Sequence, residues 1–90
     1  MTKTAPFWIA DFLRALLCEG IDELLGQPAG HEDTAACLEE ILYLLGALPL
    51  DTTEFGLALN RLANAWHYLE SGEHGAAQYE LRLLRRSLEQ

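Results

Sequence analysis

The 90-residue chain is short of positive charge. It carries six Lys and Arg against 14 Asp and Glu, for a formal net charge of −8. Binding to a nucleic-acid backbone is driven by basic side chains that displace counter-ions, so nucleic acid is excluded as the expected ligand. An anionic membrane surface is disfavoured for the same reason. No run approaches the ~20 apolar residues that a bilayer span needs. Lys3 precedes an apolar stretch, but Asp11 and Arg14 interrupt it too early for a secretory h-region. Only two cysteines are present, Cys18 and Cys37, in different predicted helices. They read as two small, inert, buried apolar side chains in a reducing compartment, not as a disulfide framework. These absences together predict a cytoplasmic protein. β-Branched residues are few and no alternating pattern occurs, which excludes a sheet.

The usual catalytic signatures are missing as well. There is no phosphate-cradling glycine loop and no nucleophile elbow. His31, His67 and His74 are the only histidines and form no HExxH pair. A structural zinc site wants roughly four converging ligands, and neither these histidines nor the cysteines supply them at a useful spacing. Neighbouring acids such as Glu39 and Glu40 leave one helix in different directions and read as solvated. The expectation is a protein without catalytic residues, metal or cofactor.

What the chain has in quantity is hydrophobic residues, half of the total. In a single domain of this length that excess either packs a tight core or covers a surface meant for a partner. Residues 1–6 read as a loose tail, with Pro6 suited to a first helical turn. From Phe7 the apolar residues Ile9, Phe12, Leu13, Leu16, Leu17, Ile21, Leu24 and Leu25 recur in steps of three and four, one face of a helix. Gly26, Pro28 and Gly30 end it. A second helix begins between His31 and Thr34. Glu32 and Asp33 favour its positive end, and its apolar set is Cys37, Leu38, Ile41, Leu42, Leu44, Leu45 and Leu48. Gly46 and Pro49 stop it. Asp51 and Glu54 fit a capping box for a third helix to Glu70. Ser71 and Gly72 turn the chain into a fourth helix over about 73–89, with Ala77, Leu81, Leu84 and Leu88 in step. Arg82, Arg85 and Arg86 complement its C-terminal dipole. The prediction is an all-α domain of two helical hairpins.

Charge is uneven between them. Residues 1–50 hold eight acids against Lys3 and Arg14, net −6, whereas residues 51–90 hold six acids against four arginines, net −2. The acidic first hairpin is either a solubilising face or a patch for a basic partner.

The second hairpin resembles a tetratricopeptide repeat, in which a small residue and an aromatic lie on the first helix, a glycine turn follows, and a small residue on the second helix allows close contact. Ala65, Tyr68, Gly72 and Ala77 stand in those places, followed by Leu81 and Leu84. Arg61 and Asn64 depart from the pattern. If that register holds, Leu59, Leu62, Trp66 and Leu69 form a stripe on the first helix's other face. In such repeats that face lines a ligand groove, and an apolar groove suits the apolar stripe of a helix. The alternative is that the same four residues pack against the first hairpin.

Gly26-Gln27, His31-Glu32, Ala36-Cys37-Leu38, Glu40, Leu42 and Leu45-Gly46 resemble the small tetratricopeptide-like chaperones of type III secretion. The stretch from Ala47 to Phe55 is longer than in that family. The resemblance implies a cytoplasmic chaperone that clasps the amphipathic helix of a self-assembling secretion subunit, together with a second small helical chaperone, and prevents premature polymerisation. Two other classes stay open. One is an acidic inhibitor or anti-defence protein that covers a basic surface. The other is an adaptor whose apolar excess is its own homo-oligomer interface.

Overall fold

The computed structural model describes residues 7–28 and 30–89, with the side chains of Phe7 and Trp8 outside the description. The expected loose tail over residues 1–6 lies outside the described residues. Four helices follow one another: α1 (Phe7–Gly26), α2 (Thr34–Ala47), α3 (Thr52–Glu70) and α4 (His74–Leu88), with no strand among the described residues. The all-α architecture of two hairpins, α1–α2 and α3–α4, is therefore present, and its helix boundaries fall within a residue or two of the sequence expectation.

Local chemistry sets those boundaries. Asp51 caps α3: its Oδ1 accepts from the Glu54 amide at 2.7 Å, and Glu54 Oε1 accepts from the Asp51 amide at 3.3 Å. This satisfies two donors that a helix start otherwise leaves orphaned. At the other end of α3, Gly72 adopts φ +79°, the left-handed conformation that costs a residue with a Cβ. The Glu73 amide then donates to the Tyr68 carbonyl at 2.8 Å, and the Gly72 amide to Leu69 at 3.3 Å. That pair of bonds is a Schellman motif, which closes α3 and sends the chain straight into α4.

The core draws on all four helices. Leu17, Ile21 and Leu24 of α1 meet Leu38, Ile41 and Leu45 of α2, Ala58, Leu62 and Ala65 of α3, and Ala77, Leu81, Leu84 and Leu88 of α4. No polar or charged residue is buried among the described residues. The expected small contact residues Ala65 and Ala77 are both fully buried. They allow the α3 and α4 backbones to approach closely, and this is the most extensive helix pair in the molecule.

The hairpins close into a ring. α1 packs on α2, α2 on α3, α3 on α4 and α4 back on α1, while the backbones of the diagonal pairs stay apart among the described residues and meet only through core side chains. A stacked repeat would instead lay like helix on like helix, α1 beside α3 and α2 beside α4. The chain arranges its two hairpins as a four-helix bundle. No described helix is long and apolar enough to cross a membrane.

Candidate functional site: an unclasped seam ending in a cavity

The two seams between the hairpins differ in kind. The α1–α4 seam is held by polar clasps. Arg85 makes a two-pronged contact with Asp22, Nε to Oδ1 at 2.6 Å and a terminal nitrogen to Oδ2 at 3.0 Å, and it also pairs with Glu89. Arg14 donates to the Leu88 carbonyl at 3.0 Å, and Gln78 to the Leu25 carbonyl at 3.4 Å. The α2–α3 seam carries no hydrogen bond or ion pair among the described residues, and its lips are apolar.

Helical register places those lips. Ala35 and Leu38 of α2 share a cavity wall with Trp66 and Leu69 of α3. Leu42 lies one turn beyond Leu38 and two beyond Ala35, so it continues the α2 lip. Leu59 lies two turns before Trp66 and continues the α3 lip in the same way. Both are open to solvent, Leu42 at 39% and Leu59 at 36% of full exposure.

The seam ends in a cavity of about 280 Å³ where the four helix ends converge. Leu24, Leu38, Trp66 and Leu69 supply its apolar walls, and His31, Glu32, Glu70 and His74 its polar rim. The His31 Nδ1 accepts from the Asp33 amide at 3.1 Å. Gln78 Nε2 lies 3.2 Å from His74 Nε2. With that nitrogen accepting, the ring proton of His74 sits on Nδ1, which is buried and has no partner. The cavity therefore offers apolar walls inside a polar rim. It suits a large apolar side chain. No group of three His, Cys, Asp or Glu side chains suited to a metal ion occurs among the described residues.

The four sequence-derived contact residues separate. Leu59 stands open on the lip. Trp66 and Leu69 are half-buried, packed against the core on one side and lining the cavity on the other. Leu62 is a correction: at 1% exposure it belongs to the core and cannot meet a partner in the folded chain. The reason is rotational. At 100° per residue Leu62 sits close to the axis defined by Ala58, Ala65 and Leu69, while Leu59 and Trp66 sit at its margin. The spacing that joins all four into one stripe is too coarse to separate centre from edge. Leu42 was missed as a contact residue because its periodicity matches the buried positions of α2. Phe12 likewise reads as inward in α1 but is 57% exposed.

Cys18 and Cys37 are half-buried free thiols. Burial pushes the Cys18 thiol above its ordinary value, and this outweighs the Arg85 charge that the fold brings near it. Gln27 Nε2 donates to the Cys37 sulfur at 3.3 Å.

Comparison with protein-family models, with curated proteins and with solved structures gave no match.

Proposed function

We propose that this chain is a non-catalytic protein-binding module that holds an amphipathic helix of a partner along the α2–α3 seam. The single observation that carries the reading is the unclasped apolar seam, bordered by Leu42, Leu59 and Trp66 and running into the cavity at the helix ends. A helix laid in a groove presents apolar anchors every three or four residues. The seam offers a linear apolar track for such a stripe, and the cavity offers a socket for one large anchor. Aromatic residues in well-packed, desolvated pockets are the usual sites of concentrated binding energy.

The sequence resemblance in α2 extends the reading to a role. The partner is a subunit of a self-assembling secretion structure, whose polymerising helix stays covered while it is held here. The test is purification of the tagged protein from its native cells, beside a Leu42→Asp, Leu59→Asp variant. Both changes are at exposed positions, so the variant keeps its helical circular dichroism. The expected result is one co-eluting protein that aggregates when expressed alone and that the variant loses. Equal recovery by the variant, or recovery of this chain alone, would overturn the proposal.

A further inference from the structure

A second groove lies on the opposite edge of α2, between α1 and α2, with a volume of about 300 Å³. Its apolar surface comes from Leu16, Gly20, Tyr43 and Leu44. Tyr43 is 77% exposed, a large ring left in solvent in the middle of a helix. Phe12, one turn before Leu16, extends the same edge of α1. Glu19, Glu23 and Glu40 complete the lining. No basic residue lines this groove, and α2 contains none at all.

Gly20 points to a use for this groove. It sits mid-helix, where glycine is less favourable than alanine. Close packing does not require it, because a Cβ added there would meet the Ile41 side chain at 3.5 Å, an ordinary contact. What its missing side chain provides is depth in the groove floor.

We propose that the α1–α2 groove docks a basic amphipathic helix, with an apolar anchor over Gly20 against Tyr43 and lysines or arginines against Glu19, Glu23 and Glu40. Charge selects the occupant. A second copy of this chain would bring its own net −8 to an acidic rim, whereas a basic helix neutralises it. The surface is independent of the α2–α3 seam and uses the other side of α2.

The probe is a synthetic 18-residue helix with leucine on one face and lysine elsewhere, alongside a counterpart with glutamate in place of lysine. Titration into the isotope-labelled protein is followed by amide chemical shifts. Binding of the lysine peptide alone is expected, with shifts centred on Gly20, Tyr43 and Leu44 and an affinity that falls with added salt. Tyr43→Ala, a change at an exposed position, is expected to weaken it about tenfold, the scale of a contact aromatic. Gly20→Ala is expected to raise the melting temperature while weakening the peptide severalfold, because the helix gains and the groove loses. Leu59→Asp is expected to leave the affinity unchanged. Equal binding of the glutamate peptide would overturn the proposal. So would unchanged affinity in both groove variants, shifts centred on Leu42 and Leu59, or a lower melting temperature for Gly20→Ala.

Discussion

Three alanine substitutions on one helix separate the roles the seam assigns to α3. Trp66 is half-buried, with one side on the core and the other on the cavity. Trading it for alanine removes roughly 100 Å² of buried apolar surface, worth about 2.5 kcal/mol at ~25 cal/mol per Å². Little cavity penalty is added, because the space it leaves is continuous with an open cleft, so the full core value of ~3–5 kcal/mol is not reached. A domain of this size loses roughly 4–8 °C of melting temperature per kcal/mol, so Trp66→Ala should melt about 10–20 °C lower yet remain folded at 25 °C. Leu62→Ala lies wholly in the core and should cost ~2–5 kcal/mol. Leu59→Ala, at the partly covered lip, should cost about 1 kcal/mol. Urea unfolding followed by circular dichroism gives all three values. Partner affinity should rank differently, with Trp66→Ala and Leu59→Ala each weakening it and Leu62→Ala acting only through stability. The reasoning is refuted if Leu59→Ala destabilises as much as Leu62→Ala, since the stripe would then be one buried face and no lip.

Other outcomes follow from the caps, the hairpin contact and the thiol. Asp51→Ala removes the α3 capping box and should cost about 1 kcal/mol in the same unfolding experiment. Gly72→Ala forces a Cβ into the left-handed conformation at φ +79° and should cost about 1–2 kcal/mol. Ala65→Leu drives extra volume into the fully buried α3–α4 contact and should cost roughly 1–3 kcal/mol, seen as a lower urea midpoint with unchanged slope. Cys18 holds its proton more tightly folded than unfolded. Its contribution is complete below the ordinary thiol value and is lost as pH rises through the higher folded value, so stability should decline in alkaline buffer. A Cys18→Ala variant should lack that component of the decline, and a decline of equal size in the variant would contradict it.

Much of this fold is legible in the sequence, for local reasons. Asp51 with Glu54 and Gly72 after Ser71 mark helix ends because the orphaned backbone groups there need those residues, whatever the rest of the chain does. Ala65 and Ala77 are readable as contact points because only small side chains let two helices approach. The ring of helices is not legible, because it depends on which apolar stripe meets which. Leu42 and Leu45 have the same chemistry three residues apart, yet one borders solvent and the other is fully buried. Nothing local to α2 records where α3 lies. The same holds for Arg85 beside Asp22, a clasp joining residues 63 apart in sequence that leaves no mark on either helix alone. Gly20 gave no signal either: a mid-helix glycine gains meaning only once Ile41 and the open groove are seen around it.

The central claim is that the α2–α3 seam receives the partner, and hydrogen exchange on the purified complex tests it most directly. With the complex compared against the free chain, the account predicts slowed amide exchange in α2 (Thr34–Ala47) together with the 59–69 stretch of α3, because an occupied seam suppresses local opening on both sides. Slowing confined to α1 and α2, with α3 exchanging as in the free protein, would contradict it.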